Sequence, residues 1–467
     1  MKMQKNKLKM KLAKKISKPE LIAPVGNWPM LTAAIDAGAD AVYLGVNDLN
    51  MRITARSFEI QELKKVAETA RKKKVKVYLT LNTIIYDNER KKVDRIIKEA
   101  KDAKIDAIIC WDVYVIQQCI KAKIPFHIST QAGISNYDSL KFYAKLGAKK
   151  AVLARELSLE QLKNIVEQKN KDNLDIGIEV FIHGAMCVSI SGRCFLSQEL
   201  FGKSANRGDC LQPCRRPYKV INEETGKELR VGNNYILSPK DLCALPFTDR
   251  LIDAGIESFK IEGRNRSPEY VKVVTSAYKK VIDDYLKNKR QSKEKSSRGA
   301  DATGDAPSGL SRRTFSRRKM AVGRQDWLDF SDSRLNKKLI MKELSELKKV
   351  YNREFSSGFF LGVPTNDDFT SKDGSSVTEI KEYVGFVRNY YQKINVAEIK
   401  VENKPISKGD EIYVIGNTTG VFRQKVESLE INHKKVDIAK KGERVALKLK
   451  QTARPNDKIF RIVKSSQ

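Results

Sequence analysis

Eight short apolar runs, separated for the most part by amphipathic stretches, constrain this chain more than any other feature. The runs are Leu21–Val25, Ala41–Val46, Val75–Leu81, Ala107–Trp111, Phe126–Ser129, Ala151–Ala154, Gly177–Ile182 and Ser258–Ile261. Most gaps hold ten to twenty residues with helical periodicity, such as Glu59–Lys73, Glu89–Ala103 and Leu159–Gln168. Several of these stretches stop at a glycine before the next run, as in "DAGADAVYLG" (36–45) and "KLGAKKAVLA" (145–154). A strand that is apolar throughout is covered on both faces, as in a parallel sheet. Parallel strands need right-handed helical crossovers, which the alternation supplies. The expected fold class is therefore α/β. Eight strands suit a closed, TIM-like (β/α)8 barrel, with a doubly wound sheet as the fallback. A ninth run, Tyr235–Leu237, lies in the long segment between Ile182 and Ser258, which reads as an elaborated insertion or a hairpin.

The same rhythm marks the domains. Residues 1–18 form a basic tail with eight Lys and no acid. Residues 19–286 form the TIM-like barrel, with a cysteine-rich insertion over 183–243. The barrel is followed by a disordered basic linker, 287–335, rich in Ser, Gly, Arg and Lys ("SKEKSSRGADATGDAPSGLSRRTFSRRK"). A helical and extended connector covers 336–378, with the helix over 336–352. After Thr378 the pattern becomes short alternating strands such as "DEIYVIG" and "DKIFRIV", so 379–467 is expected to be a small all-β barrel.

Charge narrows the partners. Lys and Arg number 89 against 57 Asp and Glu, a net of +32, which suits an acidic partner, RNA before a membrane. The segment 1–18 carries +8 of this and 287–324 a further +9, so more than half the excess lies outside the expected folded parts. No run of about 18 apolar residues is present, which excludes a transmembrane helix. The first residues lack an apolar h-region, so a secretory signal is not expected and a cytoplasmic location is. Seven Cys in 467 residues are too few for a disulfide scaffold. In a reducing setting, clustered cysteines indicate metal or catalysis.

Five of the seven cysteines fall within 57 residues: Cys187, Cys194, Cys210, Cys214 and Cys243. Thiolates are soft ligands for zinc, Cu(I) or iron–sulfur clusters. The spacings of seven, sixteen, four and twenty-nine do not make the paired knuckles of a zinc ribbon. Cysteines spread over loops at a barrel mouth suit a cluster better. Cys110 and Cys119 read as core. His183 follows the strand "EVFI", either as a core or loop-capping residue or as an acid–base group. His127 reads as packing and His433 as part of a turn. Other strand ends supply Asn82, Asp112, Thr130–Gln131, Arg155–Glu156, Lys240–Asp241 and Glu262–Gly263–Arg264, which a barrel would bring together. Arg155 and Arg264 can fork onto the carboxylates of a small acid, or pair with neighbouring Glu. His183, Arg155, Glu262 and Arg264 are the catalytic candidates. "GKS" (202–204) lacks the upstream glycine of a P-loop, and no G-x-S-x-G, H-E-x-x-H or G-x-G-x-x-G appears. Standard serine and zinc proteases are therefore unsupported.

Over Glu179–Ser197 the chain resembles the peptidase U32 family, with Glu179, Phe181, Gly184–Ala185–Met186–Cys187, Gly192, Cys194, Leu196 and Ser197 at the family's spacing. "NRGDCLQPCRRPY" (206–218), "LSPKDLC" (237–243), "SFKIEGRNRSPEYV" (258–271) and the opening "ELIAPVGNWPMLTAAIDAGADAVYLG" (20–45) are similar to it too. The resemblance is strong over 19–285 and continues through "LKKVYNREFSSGFFLG" (347–362) into a C-terminal barrel similar to the second-domain barrel of translation factors. Members were named as collagenase-like peptidases, which makes a peptidase one implied activity. Better-understood relatives are oxygen-independent or prephenate-dependent hydroxylases, acting on the tRNA wobble uridine, on a ribosomal RNA cytidine or in ubiquinone synthesis. The resemblance thus implies a tRNA-modifying hydroxylase with a 4Fe-4S cluster, prephenate as cosubstrate, tRNA or another RNA as partner, and iron–sulfur assembly proteins. A non-catalytic RNA-binding factor with a structural cluster is the further alternative. Cys187, Cys194 and Cys210 match ligand positions. The fourth is Cys243 in some branches and Cys214 in others; Cys243 is taken as the fourth, with Cys214 as its alternative.

Overall fold

The computed structural model describes residues 18–46, 49–52, 57–229, 235–299, 328, 333–370, 372 and 374–465. The eight runs become strands β1 (Glu20–Pro24), β2 (Ala41–Leu44), β3 (Lys76–Thr80), β4 (Ala107–Cys110), β5 (Phe126–Ile128), β6 (Lys150–Val152), β7 (Gly177–Gly184) and β8 (Ser258–Ile261). Each pairs in parallel with the next, and β8 closes the ring by pairing with both β7 and β1. Ser258 stands opposite Glu20 on one side and Glu179 on the other. The result is a closed eight-stranded barrel.

Alternation along each strand sorts its side chains between two environments. Leu21, Val42, Val77 and Ile108 point into the shell under the helices, where the largest apolar cluster lies. Ile22, Tyr43, Tyr78 and Ile109 fill the lumen. The lumen also holds a buried ion pair, Lys260 Nζ to Glu179 Oε1 at 2.9 Å. Burying two charges is tolerated only when they meet, and here they do. The crossover helices start where side chains satisfy their first N–H groups. Asn27 caps Trp28–Asp36, Asp112 caps Val113–Ala122, and Ser158 with Gln161 forms a capping box on Leu159–Lys171.

Between β7 and β8 the chain forms short 3-10 turns, the helix Leu196–Phe201, a hairpin of Val220–Ile221 with Glu228–Leu229, and the helix Thr248–Asp253 that leads into β8. Tyr235–Leu237 is not a strand: Ser238 N–H closes a turn onto Tyr235 O at 3.0 Å. The added strand comes later, at Asp241–Cys243, antiparallel to β7 on one side and parallel to Phe355–Ser356 on the other.

The barrel's last helix, Pro268–Gly299, runs past the expected start of a linker at 287. Its lysines, arginines and glutamine are good helix formers, and no Gly or Pro interrupts them before Gly299. Lys289 is tied to Asp253 of the preceding helix. The rest of the expected linker, apart from 328 and 333–335, lies outside the described residues. So does the basic tail except Lys18, whose ammonium meets Asp40 at 2.6 Å.

The connector forms the helix Lys337–Lys349. Beyond Thr378 eight strands make an antiparallel sheet with its own core of Val387, Ile399, Val414, Phe422, Val445 and Ile459. This sheet docks on the barrel: Thr32 Oγ1 donates to Asn417 O at 2.7 Å, and Lys381 pairs with Glu269 at 2.6 Å.

Candidate active site

The C-terminal ends of the strands open into a cavity of about 330 Å3, roofed by the insertion. Its floor is built around one carboxylate, Glu262, which follows β8. Arg52 Nη2 approaches Glu262 Oε1 at 3.2 Å, Arg155 Nη2 stands 3.9 Å from Oε2, and Tyr43 Oη donates to Oε2 at 3.4 Å. Arg264 lies alongside, donating to Asn50 Oδ1 at 3.0 Å and Thr80 Oγ1 at 2.7 Å. Burial pushes the Glu262 carboxyl up, but Arg52, Arg155 and Arg264 outweigh it and hold the group down at about 2. Burial lowers Arg264 to about 10, opposed by Tyr43 and Glu262, so it stays charged at neutral pH. Around Glu262, three guanidiniums face this one carboxylate and give its surroundings a positive balance. Arg155 also lies over the Phe181 ring at 3.8 Å and donates to Ala185 O at 2.6 Å, which fixes its plane.

Two glycines bring this floor together. Gly184, at the end of β7, has φ +104°, and a Cβ there would stand 2.5 Å from Glu262 O. Gly208 has φ +88°, and its Cβ would meet Asn50 O at 2.1 Å. Only glycine lets the insertion approach the loop after β2 so closely. That approach sets Cys210 near Arg52, whose charge opposes the upward push of burial on the thiol.

Four thiols line the cavity above the floor: Cys187, Cys194, Cys210 and Cys214, all free. Burial raises the thiols of Cys210 and Cys214, and the nearby thiols of the set add to it in both. Two backbone N–H groups already point at sulfur, Leu196 N to Cys194 Sγ and Gln212 N to Cys210 Sγ, each at 3.4 Å. Arg215, next in sequence to Cys214, is bound to the carbonyls of Met186 and Pro239 and anchors this turn to the wall. Among the described residues no three His, Cys, Asp or Glu side chains converge as ligands of one metal ion would. Four thiols on one cavity wall are soft donors that could hold a thiophilic metal or cluster.

Cys243 is not in this set. It is fully buried in the added strand, opposite His183, with Tyr278 Oη 3.9 Å from its sulfur; burial pushes its thiol up to about 12. The structure therefore groups Cys214, and not Cys243, with Cys187, Cys194 and Cys210. The catalytic reading of His183 is corrected for the same reason. Its ring is buried among Tyr270, Tyr278 and Phe355, outside the cavity, and burial lowers it to about 3, so it is neutral. The expected convergence holds for Asn82, Thr130, Gln131, Glu156 and Lys240, which line the cavity with Arg155, Glu262 and Arg264. Asp112 serves instead as a helix cap, and Asp241 is buried beneath the wall. Arg52, Tyr43 and Arg215 were not singled out from the sequence. Arg52 sits in an ordinary loop, and only its contact with Glu262 marks it.

Residues 26–320 match the sequence model of Peptidase family U32. The chain is 39% identical over 455 residues to a Porphyromonas gingivalis protein named collagenase, spanning 96% of this chain and 99% of that one. It is 30% identical over 418 residues to tRNA hydroxylation protein P1 of Bacillus subtilis, spanning 88% and 87% of the two chains. With the 23S rRNA 5-hydroxycytidine C2501 synthase of Escherichia coli it shares 33% identity over 391 residues, 82% of this chain and 56% of that one.

Proposed function

The chain belongs to peptidase family U32, and on that premise we propose that it is an iron–sulfur-dependent RNA hydroxylase, acting on the wobble uridine of tRNA with prephenate as the hydroxyl source. The observation that carries this reading is one cavity with four thiols on its wall and an excess of guanidinium on its floor. Cys187, Cys194, Cys210 and Cys214 would hold the cluster, which when bound supplies redox chemistry at the mouth of the barrel. The Gln212 N–H aimed at Cys210 Sγ partly offsets the upward push of burial on that thiol. Iron–sulfur assembly proteins are the partners this loading needs. Arg52, Arg155 and Arg264 receive a small dicarboxylate such as prephenate, whose carboxylates suit planar guanidinium forks. Glu262 keeps the three guanidiniums from repelling one another and sets their planes before the acid arrives. The narrow cavity, roofed by the insertion, shields the reacting atoms from water.

The relatives named for hydroxylation of tRNA and rRNA support an RNA substrate, and the basic balance of the chain suits phosphates. The relative named collagenase suggests a peptidase instead. That reading has no histidine to pair with the four thiols at the cavity, because His127 and His183 are buried and neither lines it. Among the described residues no helix is long and apolar enough to cross a membrane.

The test is nucleoside mass spectrometry of tRNA and rRNA from a deletion strain, with and without the restored gene, beside iron and sulfide assays of anaerobically purified protein. Loss of wobble-uridine hydroxylation on deletion, with iron in the protein, is expected. Unchanged modification, or protein without iron, would sink the proposal.

A further inference from the structure

We infer that a second recess, beside the main cavity, seats an unpaired RNA base that flanks the reacting nucleotide. This rests on the RNA reading above and adds a site to it. The recess, of about 310 Å3, lies between the loops that follow β3 and β4. Tyr86, Trp111 and Tyr114 supply its rings, with Ile85 and Val113 between them. Tyr86 is 55% exposed and Val113 68% exposed, so this apolar surface faces water. Each ring carries a guanidinium: Arg207 lies 4.7 Å from the centre of Tyr86, Arg193 4.7 Å from Trp111, and Arg90 5.1 Å from Tyr114. Exposed rings interleaved with guanidinium planes suit an unpaired base, which stacks on either; the guanidiniums of Arg207 and Arg90 are themselves held by Glu89 and Asp87.

Its position says which base. Trp111 Nε1 donates to Asn82 O at 2.9 Å, and Arg193 Nη2 donates to Gln131 O at 2.5 Å. Asn82 and Gln131 both line the main cavity, so the Trp111–Arg193 pair stands between the two spaces. A base in the recess is therefore a near neighbour of one whose reacting carbon enters the cavity. The acids around the recess are already engaged. Asp112 accepts from Tyr114 N at 2.9 Å, Asp87 pairs with Arg90 at 2.7 Å, and Asp94 accepts from Tyr114 Oη at 2.9 Å.

The experiment uses the full chain and fluorescence anisotropy with a fluorescein-labelled RNA stem-loop carrying a loop uridine. A second probe has the same backbone with abasic sites on either side of that uridine. Tyr86→Ala, at an exposed position, and Tyr114→Leu, which keeps apolar bulk, are compared with wild type. Each variant is expected to weaken binding of the intact loop roughly five-fold or more, and to bind the abasic loop as wild type does. Variants that bind the intact loop like wild type, or that lose equally on both probes, overturn the inference while leaving the RNA reading in place. A wild-type protein that prefers neither loop to a fully paired duplex overturns both.

Discussion

Glu262→Gln isolates the charge on which the cavity floor depends. The wild-type carboxyl titrates at about 2 in the folded chain, against an ordinary value of 4.5. That gap of some two and a half pKa units corresponds to about 3 kcal/mol of preference for the ionised group. Glutamine removes it and leaves Arg52, Arg155 and Arg264 facing one another, so the variant is expected to be about 3 kcal/mol less stable at pH 7. The sign with pH follows from the depressed value. The stabilisation is present above the unfolded pKa and drains away as pH falls towards the folded one. Wild type should lose about 1 kcal/mol of its advantage by pH 4 and about 2 kcal/mol by pH 3, while the variant loses none from this site. Urea unfolding of both proteins across that range reads the difference directly, because every other titrating group cancels. A gap below about 1 kcal/mol at pH 7, or one that stays constant down to pH 3, would refute the idea that one carboxylate holds three guanidiniums in place.

Three further outcomes follow from the same geometry. Cys214→Ser should lose iron and the visible absorbance of anaerobically prepared protein while Cys243→Ser keeps both; the reverse result would return Cys243 to the ligand set. His183→Phe should keep hydroxylation and change only the acid limb of stability. Burial depresses wild-type His183 to about 3, so its stabilisation is present above an ordinary value of 6.5 and is lost as pH falls, by about 2 kcal/mol at pH 5. Thermal unfolding of the two proteins at pH 7 and pH 5 checks this, and an inactive Phe variant would restore a chemical role to the histidine. Gly208→Ala should cost about 1–3 kcal/mol, because φ is +88° and the new Cβ meets Asn50 O. If urea midpoints and iron content both stay unchanged, the close approach does not position Cys210.

The barrel was legible because a strand buried on both faces must be apolar throughout, and eight such runs have few other arrangements. The candidates at strand ends were legible for the same reason, since closure of the ring carries Arg155, Glu262 and Arg264 to one face. What could not be read depends on pairing between distant segments. Cys214 and Cys243 are equally plausible in one dimension. They separate only because Asp241–Cys243 pairs with β7 and turns its last sulfur towards Tyr278. His183 is likewise buried by Phe355, which lies far along the chain. Arg52 carries no local mark, and its role appears only when Gly208 lets the insertion close on its loop. Residues 287–299 misled for a different reason, because lysine-rich composition resembles disorder while a helix needs only the absence of breakers.

The strand Phe355–Ser356, laid against Asp241–Cys243, has a bearing on how the site comes into being. All eight strands of the ring have been synthesised once Ile261 is added, yet Ser356, Gly358, Phe359 and Phe369 still form part of the cavity's lining. A nascent chain therefore holds every strand of the ring before it holds every wall of the cavity. The last side of the chamber arrives only after the long excursion from Pro268 returns. Assembly of any group held by the four cysteines can thus occur while the chamber still stands open on that side, and completion of the chain then shuts it in.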